Sequence, residues 1–157
     1  MCIRDSDDGA RDIDGGGDGA PRPRAGRFSM CAGEFLHLYQ APEHAGAWDG
    51  VVTCFFVDTA PVVFEYVATI ARALRPGGVW VNLGPLLYHW AARGAHDEDD
   101  DRYAQSVELA WDELRHAILA HGFELQHEEW KQCTYTSNPK SMMRTVFDCI
   151  LFTAVKR

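Results

Sequence analysis

Apolar residues form continuous runs in some parts of the chain and recur at helical spacing in others. Trp48–Asp58 (WDGVVTCFFVD) is almost continuously apolar and β-branched, which predicts a strand buried on both faces of a parallel sheet. In Pro61–Leu74 the apolar residues follow a helical period, and proline suits a first helical turn. Arg75–Gly78 (RPGG) then ends the helix, and Val79–Leu83 is predicted to be the next buried strand.

The second half of the chain repeats this alternation once and then adds two strands. A variable loop with an acidic run, His96–Asp101, is followed by a predicted amphipathic helix over Val107–Ala120. Phe123–Tyr135 and Thr145–Val155 are predicted strands, and Phe28–Ala32 resembles the tip of an earlier one. The order of elements predicts an α/β fold with a mostly parallel sheet and an antiparallel last strand.

Residues 1–26 have a different character from the rest of the chain. They are rich in Asp, Gly, Arg and Pro without hydrophobic periodicity, which indicates a disordered or non-native leader before a domain at 27–157. Asp12–Gly19 contains the spacing GxGxG of a phosphate-binding loop. That motif requires a preceding strand and a following helix, and neither is predicted there, so we reject this interpretation.

Composition limits the classes of function. With 46% hydrophobic residues the chain is globular, and a net charge of −8 argues against nucleic acid or an anionic membrane as a partner. The five cysteines are widely spaced without a CxxC pair, so no metal site is expected, and most are predicted to be buried thiols of a reducing compartment. The expected location is the cytoplasm, with the nucleus as an additional candidate location, and a homo-oligomer is compatible with the sequence.

Candidate site residues follow the predicted strands, where ligands bind to open α/β sheets. Asp58 closes one strand and is equally compatible with a site acid and with an acid at the start of the next helix. His89 follows the adjacent strand, so its imidazole and the Asp58 carboxylate can converge, although a lone histidine is more often a surface residue. Residue types alone favour ordinary structural roles for Glu34, Phe35 and Cys54.

Four segments together resemble the carnosine N-methyltransferases: WDGVVTCFFVDTA, RPGGVWVNLGPLLYHW, SVELAWDELRHAILAHGF and the pair NPKSMMR and FDCILF. The resemblance covers residues 28–157 and implies a Rossmann-like class I methyltransferase sheet. It also implies S-adenosyl-L-methionine as cofactor and methylation of the imidazole of carnosine, a dipeptide, to give anserine. The family's glycine-rich loop and ribose-binding acid have no match in the sequence, so we expect the N-terminal half of the domain to be missing from this chain.

The resemblance also assigns residues. Glu34 and Phe35 stand where the family has an acid and a phenylalanine at the adenosine end of the cofactor, and Cys54 matches a cysteine of the cofactor pocket. Asp58 and His89 match the polar residues that contact the substrate.

Phe147 stands at the position of a third substrate contact, a tyrosine in the family. The phenylalanine keeps the ring and loses the hydroxyl, so a polar partner would have to find water. The missing hydroxyl leaves open a methyltransferase for another small histidine-like substrate. The missing N-terminal half leaves open an inactive truncated remnant that binds no cofactor.

Overall fold

The computed structural model describes residues 28–91, 100–135, 138 and 140–157, together with the backbone of residues 2–3. Apart from that dipeptide, the leader predicted for residues 1–26 lies outside the described residues, and so does the glycine-rich run of Asp12–Gly19. The acidic run is described only from residue 100 onward.

The described strands form one sheet in the order β1-β2-β3-β5-β4. The strands are β1 (Cys2–Ile3), β2 (Trp48–Cys54), β3 (Leu74–Gly84), β4 (Phe123–Thr134) and β5 (Val146–Lys156). β2 and β3 pair in parallel, whereas β5 lies between β3 and β4 and is antiparallel to both. The two-residue β1 pairs antiparallel with β2. The mixed sheet with an antiparallel last strand is confirmed, and its described parallel part is the β2–β3 pair.

Helices connect these strands. They are α1 (Phe35–Tyr39), α2 (Val63–Ala73), α3 (Asp101–Gln105) and α4 (Trp111–Ala120), with short 3-10 turns at Pro42–His44 and Val57–Thr59. The helix predicted after Pro61 is confirmed. The helix predicted from Val107 begins at Trp111 instead, where Glu113 accepts a hydrogen bond from the Ala110 backbone N–H and fixes the start. In the described ranges, no helix has the length and apolar character needed to cross a bilayer.

One face of the sheet carries the core. Trp80 and Phe152 are fully buried there with Ile150, and they belong to the same cluster as Ile70 of α2 and Ile118 of α4. Burial of such large apolar side chains is the main stabilising contribution to this fold.

A polar chain runs through this core. The Trp80 indole N–H donates to the Thr53 hydroxyl at 2.9 Å, and that hydroxyl donates to the Asn82 side-chain oxygen at 2.8 Å. The Asn82 amide donates in turn to the Ile150 carbonyl at 3.1 Å. The buried side chains of Thr53, Trp80 and Asn82 are therefore paired across β2, β3 and β5, as stability requires.

Several predicted boundaries are wrong. Phe28–Ala32 forms no strand: the segment is exposed, and no described strand pairs with it. A short apolar run does not by itself distinguish a strand from extended coil. β2 ends at Cys54, four residues before Asp58, because Phe55 adopts a positive φ of 49° that breaks the extended backbone. β3 begins at Leu74 rather than Val79, since the RPGG segment is incorporated into it.

The predicted burial of β2 and of the cysteines also requires correction. In β2, Val51 and Thr53 are buried whereas Val52 and Cys54 are exposed, because α2 and α4 pack on the first pair's face and no described element closes the other. Cys54 is therefore not a buried thiol, and Cys31 is exposed as well. Among the four described thiols only Cys149 is buried, and this burial raises its pKa to about 11.

Candidate functional site

Four segments of the chain meet at one edge of the sheet. The carboxyl ends of β2 and β3 lie at this edge because the two strands are parallel. The antiparallel pairings of β5 with β3 and β4 bring the start of β5 and the end of β4 to the same edge. Topology thus places Asp58, His89 and Phe147 at the same edge of the sheet, although they are far apart in sequence.

Asp58 is the buried acid of this edge. It lies in the 3-10 turn after β2 with 2% of its surface exposed. The Leu87 backbone N–H donates to its Oδ2 at 3.1 Å, and the His89 backbone N–H donates to its carbonyl oxygen at 3.0 Å. Burial raises the pKa of the Asp58 carboxyl, and this effect outweighs the lowering by the Leu87 N–H and the nearby His89. The structure therefore brings the two predicted residues together.

The exposed His89 lies between two anchored aromatic residues. The Tyr88 hydroxyl donates to the Leu109 carbonyl at 3.0 Å, and burial raises the pKa of Tyr88 to about 12. On the other side, the Trp90 indole N–H donates to the Thr59 carbonyl at 2.9 Å, and the Arg102 guanidinium lies 4.0 Å from the centre of its ring. These contacts hold the segment in place, so that the imidazole is directed toward solvent beside a buried carboxylate.

The residues predicted to bind the cofactor lie at the start of α1 and at the end of β2. Glu34 does not follow a strand; it is the N-cap of α1, and its carboxylate accepts hydrogen bonds from the backbone N–H groups of Leu36 and His37 at 3.0 and 2.7 Å. Phe35 is half-buried and packs against Phe56, with ring centroids 5.1 Å apart.

A pocket of about 380 Å³ lies between α1 and β2. Its lining residues are Cys31, Gly33, Phe35, Leu38, Tyr39, Val51, Val52, Thr53, Cys54 and Phe56. Phe35 and Cys54 therefore line the same cavity, and Glu34 lies in sequence between the lining residues Gly33 and Phe35 without being one of them. Aromatic and aliphatic walls with a few polar groups are typical of sites that enclose a planar organic ligand.

Sequence reasoning missed two residues of this edge. Phe55 packs edge-on against Phe147, with centroids 5.7 Å apart, and against Tyr135 at 5.2 Å. Phe147 is thus part of an aromatic group rather than an isolated ring. No sequence signal marks Tyr135, and the only sign for Phe55 is its position just before Asp58.

Comparisons with known proteins identify the family. A model of the carnosine N-methyltransferase family matches residues 18–157. The chain is 42% identical over 135 residues to the carnosine N-methyltransferase of Mus musculus, covering 85% of this chain and 31% of that protein. It is 38% identical over 128 residues to the enzyme of Dictyostelium discoideum, covering 82% of this chain and 25% of that protein. The chain thus spans less than a third of the length of these relatives.

A solved structure supports the fold independently. An S-adenosylmethionine-dependent methyltransferase from Methanosarcina mazei superposes with a TM-score of 0.52 at 14% identity, covering 78% of this chain and 65% of that one. This likeness confirms the predicted class of methyltransferase sheet. Since the family model extends over nearly the whole sequence, the chain belongs to the carnosine N-methyltransferase family.

Proposed function

We propose that this protein transfers a methyl group from S-adenosyl-L-methionine to the imidazole of carnosine, giving anserine. Membership of the family supports the reaction. The observation that carries it is the contact between buried Asp58 and the segment that presents His89, at the same sheet edge as an aromatic pocket. The proposal assigns to this chain the substrate side of the site and part of the cofactor side.

The pocket beside β2 fits the cofactor chemically. Phe35 and Tyr39 offer aromatic surface for an adenine ring, and the exposed Cys54 lies at the end of the pocket nearest the strand exit. The Glu34 oxygens retain lone pairs beyond those used in capping, so they can accept hydrogen bonds from ribose hydroxyls. When bound, S-adenosylmethionine supplies an electrophilic methyl group on a sulfonium.

Asp58 and His89 are proposed to orient the substrate. A neutral imidazole has one nitrogen with a free lone pair, and the hydrogen bond made at the other nitrogen sets which one it is. Asp58 or His89 accepts the N–H of the substrate ring, which holds the opposite lone pair toward the methyl group. A carboxylate at this place also stabilises the positive charge that develops on the ring during transfer.

A specific observation favours a second candidate substrate. Phe147 lacks the hydroxyl of the family tyrosine, so a histidine-like molecule other than carnosine is a candidate for the same site. The reaction and the roles of Asp58 and His89 would be unchanged. The cytoplasm is the proposed location.

Titration and turnover assays test these proposals in two steps. Calorimetric titration with S-adenosylmethionine compares this chain with protein from the complete reading frame. We expect the complete protein to bind, and binding by neither would indicate an inactive remnant. Turnover of carnosine is then compared with that of free histidine. If histidine is turned over faster than carnosine, histidine is the better substrate, and the proposal of a methyltransferase still stands.

A further inference from the structure

We infer that Tyr135 supplies the substrate-facing hydroxyl that Phe147 lacks, and that Phe55 holds the two rings together as one wall of the substrate site. The inference rests on the proposed function and extends it to a residue that determines specificity. It is drawn from the aromatic group that Phe55, Tyr135 and Phe147 form at the sheet edge.

Strand pairing brings Tyr135 to Phe147. Cys133 of β4 lies directly opposite Phe147 of β5, and the last described pair of the ladder is Thr134 with Val146. Tyr135 lies two residues beyond Cys133, so it is the diagonal neighbour of Phe147 on the same face of the sheet. Diagonal neighbours in an antiparallel pair are within reach of each other when the side chains are aromatic.

Phe55 reaches this pair by crossing the end of β3. Its backbone N–H donates to the Leu83 carbonyl at 2.8 Å, and a Cβ on Gly84 would lie only 3.1 Å from the Phe55 N and Cα. The absence of a side chain at Gly84 allows the backbone to pass there. A non-glycine residue with a φ of 49° is strained, and such strain is concentrated at functional sites. The strained turn directs the Phe55 ring toward β5 and β4.

The Tyr135 hydroxyl is available to a ligand. Its side chain is 68% exposed, and within the described part of the chain its hydroxyl makes no hydrogen bond. Phe55 is three residues before Asp58, so a ring of the aromatic wall and the buried acid both follow the carboxyl end of β2. A phenol on this wall can donate a hydrogen bond to a dipeptide whose imidazole is held at Asp58, as a phenol on Phe147 would.

Exchange of the hydroxyl between the two rings tests the inference. Tyr135→Phe, Phe147→Tyr and the double variant are made in protein from the complete reading frame, and KM and kcat are measured for carnosine and for S-adenosylmethionine. Loss of a single hydrogen bond corresponds to roughly tenfold, so we expect Tyr135→Phe to lower kcat/KM for carnosine by about that factor. The KM for S-adenosylmethionine and the melting temperature should stay the same.

The double variant distinguishes a substrate contact from a packing role. It carries the hydroxyl on the other ring of the same wall, so it should recover most of the lost kcat/KM. Unchanged kcat/KM in Tyr135→Phe, or no recovery in the double variant, would overturn the inference while the wild-type activity upholds the proposed function. Absence of carnosine turnover in the wild type would instead refute the proposed function, and the inference with it.

Discussion

Asp58 shows how tertiary contacts decide between two roles that residue type allows equally. The role of an acid capping the next helix is excluded, because the N-cap of α2 is Val62. The carboxyl is instead buried in a 3-10 turn, where the Leu87 backbone N–H donates to it. A buried acid is costly for the fold, and such costs are retained mainly where the group has a function.

Asp58→Asn should separate activity from stability. The amide can still accept from the Leu87 N–H, but it cannot stabilise positive charge on a substrate ring, so we expect kcat/KM for carnosine to fall by roughly a hundredfold or more. The melting temperature at pH 7 should be equal or higher, because the buried charge is removed. Kinetics and thermal unfolding of the same preparations measure both effects. Wild-type kcat/KM in the variant would contradict the proposed role of Asp58.

The stability of the same variant should depend differently on pH. Burial raises the folded-state pKa of Asp58 above its ordinary value, so the folded state binds this proton more tightly than the unfolded chain does. The contribution to stability is present below the ordinary pKa of 3.8 and is lost as the pH rises through the raised one. The free energy of unfolding of wild type relative to Asp58→Asn should therefore decrease as the pH rises through that interval.

At the level of secondary-structure elements, the candidate site is shaped where the segment that follows β2 crosses the end of β3. Phe55 leaves β2 and passes over the end of β3 at Gly84, where an added Cβ would be crowded by backbone atoms. A Cβ on Gly50 of β2 would make only an ordinary contact, at 3.7 Å from the Val79 carbonyl oxygen. The two glycines are in the same pair of strands but experience different crowding. Gly84 is therefore required by a close backbone approach, and Gly50 is not.

Gly84→Ala should damage the site through this crossing. The added methyl group would lie 3.1 Å from backbone atoms of Phe55, so the turn must shift, and we expect a loss of about 1–3 kcal/mol in the free energy of unfolding together with reduced kcat/KM. Gly50→Ala is the matched control and should change stability by less than about 1 kcal/mol. Denaturant unfolding measures both, and equal stability of the two variants would contradict this account of the crossing.

In the molecule as a whole, the described helices close only one face of the sheet. The other face leaves Val52 and Cys54 exposed beside the candidate cofactor pocket, and the chain spans less than a third of its relatives' length. An exposed thiol within a pocket can report whether a ligand fills it, because alkylation requires access.

Cofactor binding should protect Cys54. In protein from the complete reading frame, S-adenosylhomocysteine at saturating concentration is expected to slow alkylation of this thiol by roughly tenfold or more, since a bound ligand restricts access to the sulfur. The half-buried Cys133 lies outside the pocket and is the internal control, so its rate should be unchanged. Peptide mass spectrometry follows both sites. Equal rates at Cys54 with and without the ligand would place the cofactor elsewhere.

The elements and their order could be predicted from the sequence alone. Helical spacing after Pro61, the apolar run of β2 and the two final strands are local patterns, so they predicted an α/β sheet with an antiparallel last strand. The resemblance around His89 predicted which residues form the candidate site, and their positions after strand ends predicted the edge of the sheet where it would lie. Local patterns suffice for these features because period and turn chemistry act over a few residues.

Which side chains share the site could be seen only in the folded chain. The positive φ of Phe55, the close approach at Gly84 and the packing of Phe55 against Tyr135 and Phe147 depend on contacts between strands distant in sequence. The burial of Asp58 and the exposure of Cys54 likewise depend on which face the helices cover, which no local pattern encodes. These features escape the sequence because burial and contact are properties of the packed sheet as a whole.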